Sequence, residues 1–157
     1  MALKIIEIGG GNNPRYRPNL DIRPGPQVDI VADLNKPLPL SDKSYEHVHS
    51  AYAIEHIGWR QVKPFIHELH RILVPGGTCL IVTANLLEQC RRLIETAEWN
   101  DDLIGMVFGG QDYPENTHRC GFSPDYAIRL FREAGFSGVT VRPLPQCKTD
   151  MIVEARK

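Results

Sequence analysis

The chain has no apolar run approaching the ~18 residues that a membrane-spanning helix requires, which excludes a bilayer crossing of that kind. It also has almost no net charge. Eighteen Lys and Arg stand against nineteen Asp and Glu, leaving −1, so no overall field gathers nucleic acid or an anionic membrane. Cysteine is scarce: Cys79, Cys90, Cys120 and Cys147 lie far apart with no C-x-x-C spacing, which argues against a zinc ribbon or a redox pair. Met1 is followed by neither a basic nor a long apolar leader. The expectation is a cytoplasmic protein with reduced thiols. At 157 residues there is no room for a separate substrate lobe, and the expected organisation is one domain over 1–157.

What is present is an alternation of short apolar runs and amphipathic helices. Residues 3–8 (LKIIEI) form a nearly continuous apolar run ended by glycines, as a strand buried on both faces does. Residues 28–31, 45–52, 79–83, 139–141 and 151–153 repeat the pattern. Val62, Phe65, Ile66, Leu69 and Ile72 fall on one helical stripe, stopped by Pro75-Gly76-Gly77. Leu86, Cys90, Leu93, Ile94 and Ala97 predict a second helix with its apolar face inward. A third is marked by Ser123 as N-cap, Pro124 at the first position, Ala127, Leu130, Phe131 and Ala134 on one face, and Gly135 at the end. Such alternation predicts an α/β fold with a largely parallel sheet.

The first 45 residues differ. Prolines at 14, 18, 24, 26, 37 and 39 leave little room for crossover helices, so extended loops are expected there. Residues 100–121 show weak periodicity and are expected to form a functional loop.

The sharpest local feature is Glu7-Ile8-Gly9-Gly10-Gly11-Asn12-Asn13-Pro14 at the end of the first strand. Glycine there permits a tight turn and close approach to a ligand. Asp21, near the end of the second strand, can accept hydrogen bonds from both hydroxyls of a ribose. Asp33, after the third strand, can accept from an exocyclic amine. Asn13-Pro14 stands where a dinucleotide fingerprint carries a third glycine, and Asp21 follows Glu7 too soon for a full helix between them. A phosphate site on a helix dipole is therefore disfavoured, and a cofactor with an ammonium and no phosphate suits the turn better.

With these motifs in hand, the chain resembles the class I S-adenosylmethionine-dependent methyltransferases, in particular their small type-11-like members. The elements that carry the resemblance are EIGGGNNP, LDIRPG, VADLNKPLPLSDKSYEHVHSAYAIEHI, HRILVPGG and FGGQDYPENTHRCGFSPDYAIRLFREAGF. It implies a Rossmann-like fold, with a mostly parallel central sheet, an antiparallel C-terminal strand and trimmed N-terminal helices. By the same resemblance, Gly9 and Gly11 line the methionine part of S-adenosylmethionine. Glu7 supports the glycine loop and the cofactor's amino group. Asp21 holds the ribose, Asp33 with Leu34 meets the adenine, and Ser50 and Ala51 offer carbonyls to the methionine end.

Glu55-His56 stands where the family has an E-H pair at the mouth of the cofactor site, although both residues could equally cap or bridge the next helix. His118 lies among Asp112, Tyr113 and Arg119 and is the candidate for substrate contact; a mobile solvated loop is its rival reading. No metal site is expected, because the His67–His70 pair has no third ligand in view. His47 and His49 share one strand face and are expected at a surface or edge, and Trp59 and Trp99 as packing anchors or pocket walls.

The expected activity is methyl transfer to a small-molecule acceptor, with His118, His56 or Glu55 handling a proton. Nucleic-acid acceptors are disfavoured, since Ser50-Ala51-Tyr52-Ala53 stands where the amino-methylating enzymes have an acid or Asn followed by two prolines and an aromatic, and no Pro-Cys dipeptide exists. A short-chain oxidoreductase is disfavoured because no Tyr is followed four residues on by Lys. A non-catalytic cofactor-binding or partner-stabilising subunit is the alternative. The small size implies an open site, a compact acceptor or a homodimer that completes the site.

Overall fold

A computed structural model describes residues 4–157, so the predicted start of the first strand at Leu3 lies outside the described residues. The strands are β1 (Ile5–Ile8), β2 (Asn19–Asp21), β3 (Ile30–Val31), β4 (Tyr45–Ala51), β5 (Leu73–Ala84), β6 (Ser137–Leu144) and β7 (Cys147–Arg156). They form one seven-stranded sheet in the order β3-β2-β1-β4-β5-β7-β6. Pairing is parallel from β3 through β5, and β7 runs antiparallel to both β5 and β6. The chain thus reverses its direction of sheet growth between β1 and β4, where open α/β sheets form their crevice.

The helices are α1 (Val62–Ile72), α2 (Leu86–Thr96), α3 (Asp101–Phe108) and α4 (Pro124–Glu133). Among the described residues no α-helix precedes α1, in keeping with the proline-rich start. The apolar stripe of α1 is buried as its period requires, with Val62, Phe65, Ile66, Leu69 and Ile72 all essentially inaccessible. Ser123 caps α4 by accepting the Tyr126 N–H at 3.4 Å, and Gly135 leaves the helix at φ +97. Phe131 and Phe136 pack at 5.3 Å between ring centres in the core that α1 and α4 share with the sheet.

Several sequence expectations are corrected. Pro75-Gly76-Gly77 does not separate α1 from a strand starting at Cys79: β5 begins at Leu73, and the register between β4 and β5 shifts across that tripeptide. The stripe expected to bury α2 does not do so, because Cys90 is exposed, Ile94 is 79% exposed, and the buried residue is Gln89. The reason is that α2 packs on α3 and β7, turning Gln89 inward. Residues 100–121 are not wholly loop: α3 occupies part of them, capped by Asn100 accepting the Leu103 N–H at 3.0 Å. His49 is no edge residue. It lies 6% exposed on β4, between β1 and β5. Its Nδ1 is 3.0 Å from both carboxylate oxygens of Glu7. Trp59 and Trp99 are 61% and 47% exposed and neither lines the main cleft.

Candidate active site

A cleft of about 800 Å³ runs across the carboxyl ends of the parallel strands. Strand order arranges its lining. Asp33 follows β3, Asp21 ends β2, the glycine turn follows β1, Ala51 and Tyr52 end β4, and Ala84 ends β5. Gly9, Gly11, Leu34, Glu55, His56 and His118 line the same cleft. Glu7 and Ser50 do not. Both are buried behind it, Glu7 against His49 and with its Cγ beneath Gly10.

The glycine turn is shaped by backbone conformation and by what lies under it. Gly9 and Gly11 have φ of +77 and +52, and a Cβ on Gly9 would collide with Ala53. Asn19, fully buried, staples the turn from below: its Oδ1 accepts the Gly10 N–H at 3.1 Å, and its amide donates to the carbonyls of Gly11 and Gln27 at 2.9 and 2.8 Å. Sequence spacing carries no signal for this role, because only the fold places Asn19 against the turn.

Asp21 accepts the Gly11 N–H through Oδ2 and the Arg23 N–H through Oδ1, both at 2.9 Å. Each oxygen keeps a lone pair, which is what a vicinal diol needs. Asp33 commits Oδ1 to the backbone and side-chain amides of Asn35 at 2.9 and 2.8 Å, leaving Oδ2 facing Lys36 at 3.9 Å. Burial works to raise its pKa, but the Asn35 donors, Lys36 and Arg119 outweigh this and hold it below the ordinary value. With no helix after the glycine turn, no helix N-terminus offers itself to a phosphate there. The donors and acceptors therefore fit an adenosine carrying no phosphate.

At the β4–β5 end the chemistry changes. Glu55 and His56 form a single 3-10 turn (Ile54–His56) after β4, and the Glu55 carbonyl accepts the Arg119 and Cys120 N–H groups at 2.8 and 3.2 Å. Those bonds carry His118 to the same place, with ring centres of His56 and His118 4.9 Å apart, edge to face. Gly109, at φ +80, lets this loop close, since a Cβ there would strike the backbone of Asn116 and His118. Glu55 is 1% exposed and accepts the Thr83 hydroxyl at 3.0 Å. Burial pushes its pKa up to about 7. Burial also holds His56 and His118 below the ordinary imidazole value, with Arg119 adding to this at His56 and the His56 ring at His118. Tyr52, in the left-handed region at φ +55, donates its hydroxyl to Asp150 at 2.9 Å. The Arg23 guanidinium stacks on the Tyr113 ring at 4.0 Å, joining two walls of the cleft. Neither pairing was legible in the sequence.

Residues 16–81 match the family model of the methyltransferase domain, rather less than half of the chain. Among curated proteins, none matches it in sequence. Solved structures do. A Mesorhizobium loti S-adenosylmethionine-dependent methyltransferase superposes with a TM-score of 0.67 at 18% identity, covering 99% of this chain and 91% of that one. An Archaeoglobus fulgidus S-adenosylmethionine-dependent methyltransferase gives 0.69 at 12% identity, covering 99% and 86%. The fold is that of the class I methyltransferases. A third such structure, the Burkholderia thailandensis 1,6-didemethyltoxoflavin-N1-methyltransferase with 1,6-didemethyltoxoflavin and S-adenosylhomocysteine bound, superposes at 0.64 with 14% identity, covering 99% and 71%. The largely parallel sheet and the antiparallel β7 of this methyltransferase fold agree with the sequence expectation, while the order β3-β2-β1-β4-β5-β7-β6 is seen only in the structure. No helix of the described residues is long and apolar enough to cross a membrane.

Proposed function

We propose that the protein is a methyltransferase that moves a methyl group from S-adenosylmethionine to a small-molecule acceptor by in-line displacement. The observation that carries this is the single line of cleft groups: Asp33, Asp21, the glycine turn, Ala51, then Glu55 with His56 and His118. In this reading Asp33 and Leu34 hold the adenine, Asp21 the ribose, and Gly9, Gly11 and Ala51 the methionine part. Glu7 and Ser50 act from behind, by supporting the turn and the end of β4. When bound, S-adenosylmethionine supplies an activated methyl on a sulfonium. The chain's own contribution is to orient the acceptor, keep water out, and take its proton at the Glu55–His56–His118 cluster.

A small acceptor is supported by a cleft of about 800 Å³ that must also hold the cofactor, and by a net charge of −1 that attracts no polyanion. The same reading takes 1–157 as one domain working in the cytoplasm, where its four unpaired thiols stay reduced. A homodimer is supported by the apolar face that α2 leaves outward around Leu87 and Ile94; sedimentation as a monomer would remove that part of the reading. A silent cofactor-binding subunit is not favoured, because the cleft carries the histidine cluster in addition to the groups a nucleoside needs.

Calorimetric titration with S-adenosylhomocysteine and with NAD tests the reading. Binding of the first alone is expected, and Asp21→Ala should weaken it by about 1 to 3 kcal/mol through the lost ribose hydrogen bonds. Binding of NAD alone overturns it. Turnover on no acceptor, with S-adenosylhomocysteine still bound, would instead favour the silent subunit.

A further inference from the structure

Among the described residues, Glu55, His56 and His118 each present a metal-ligating atom, and these atoms lie within 4.8 Å of one another. We propose that these three side chains form a divalent-cation site that takes the oxygen of a hydroxyl acceptor, so that the methyl group is delivered to oxygen. The acceptor class rests on the methyltransferase reading above; the cation site does not.

The first support is an orphaned charge position. Glu55 is buried, its Oε2 is engaged by Thr83, and its Oε1 makes no hydrogen bond of good geometry, with the backbone N–H groups of Glu55 and Ala84 the nearby donors to the carboxyl. A buried oxygen without a well-placed donor is costly, and a cation bound beside it removes that cost. A second support is the tautomer of His56. Its Nδ1 lies 3.2 Å from the Thr117 carbonyl oxygen, which can only accept, and a neutral ring that donates there carries its lone pair on Nε2. Such a carbonyl behind the ring is how ligating histidines are held.

The ligand set also suits the purpose. Two imidazoles and one carboxylate bind zinc or iron with positions left over for water or substrate. Here all three residues line the cleft, so an open position faces it. A tetrahedral ion would draw the ligand atoms to about 3.3 Å from one another, a closure required mainly of the rings. The charged groups facing the cluster are Arg119, which opposes a cation, and Asp150, which favours one.

An acceptor hydroxyl bound to such an ion loses its proton near neutral pH, as metal-bound water does. The oxygen lone pair then forms the carbon–oxygen bond while the carbon–sulfur bond breaks. The electron pair stays on sulfur, leaving a neutral thioether, and the hydroxyl proton goes to solvent; with the ion bound, Glu55, His56 and His118 promote that loss as its ligands in place of accepting the proton themselves.

The test is titration of the full, metal-stripped chain with Zn²⁺ alone in a calorimeter, and with Co²⁺ followed by its visible absorption. One ion per chain is expected, with the absorption of nitrogen- and oxygen-ligated cobalt. His118→Ala and Glu55→Gln should each weaken it at least tenfold, and S-adenosylhomocysteine affinity in His118→Ala should stay within twofold. If Glu55→Gln fails to fold by thermal melting, His118→Ala decides. Absence of stoichiometric binding, or equal binding by wild type and His118→Ala, overturns the proposal. Because the metal titration contains no cofactor, its failure leaves the methyltransferase reading standing, and failed S-adenosylhomocysteine binding leaves the cation site standing.

Discussion

The side-chain oxygen of Asn19 accepts the Gly10 N–H at 3.1 Å, while the same side chain donates to Gly11 and Gln27. The glycine turn therefore owes its shape to the first residue of β2 as well as to its own flexibility. Asn19→Ala would remove three hydrogen bonds from a fully buried position. At roughly 1 kcal/mol each, the expected loss is about 3 kcal/mol, read as a lower midpoint in urea unfolding. S-adenosylhomocysteine affinity should fall with it, since the turn loses its floor. A variant as stable as wild type would mean that water replaces the amide.

Glu7 and His49 form the buried polar pair at the centre of the sheet. Removing the imidazole strands a carboxylate in the core. His49→Ala is expected to lower stability by about 1 to 3 kcal/mol, the cost of a buried acceptor left without its partner. Adding Glu7→Gln to that variant should recover part of the loss, because a neutral amide is less costly to bury unpaired. A double-mutant cycle with no coupling would show that the pair contributes nothing beyond packing.

The cysteines should separate by reactivity. Cys90 is exposed on α2, whereas burial pushes the thiols of Cys79 and Cys120 up to about 12. Since the thiolate is the reacting form, iodoacetamide at pH 8 should label Cys90 long before either. Peptide mass spectrometry reads the order. Early labelling of Cys120 would mean that the loop carrying His118 opens readily.

Acid stability should depend on Glu68. Its hydrogen bonds to Arg71 at 2.7 and 2.8 Å, together with the Leu38 N–H and against the effect of burial, hold its carboxyl below the ordinary value. The folded pKa is the lower one. This contribution is therefore fully present above the unfolded value of 4.5 and is lost as pH falls through the folded value. Melting temperatures of wild type and Glu68→Gln should differ at about pH 6 and converge as pH falls below the lowered folded value. A constant gap would place the effect in packing.

Local chemistry made much of the fold legible. The stripe of α1, the Ser123-Pro124 start of α4, and the acids at Asp21 and Asp33 are each set by a few neighbouring residues, so spacing sufficed. Long-range pairing did not show. His49 alternates with Val48 just as an edge residue would, and only the placement of β4 between β1 and β5 buries it against Glu7. The apolar stripe of α2 misled because a helix lining a cleft turns a glutamine inward. The eight residues of α3 are too few for a period to stand out, though Asn100 with Asp101 and Asp102 was a usable cap signal. His118 stands far along the chain from His56, and nothing in sequence spacing joins them.

The Arg23 guanidinium over Tyr113 has a thermodynamic consequence. It couples the loop after β2 to the segment leading to His118, so any effect of one ligand on the other through this contact must be reciprocal. An exposed cation–π contact contributes about 0.5 to 1 kcal/mol, which caps such heterotropic cooperativity at about fivefold. Binding of the two substrates in either order is thus compatible with this contact.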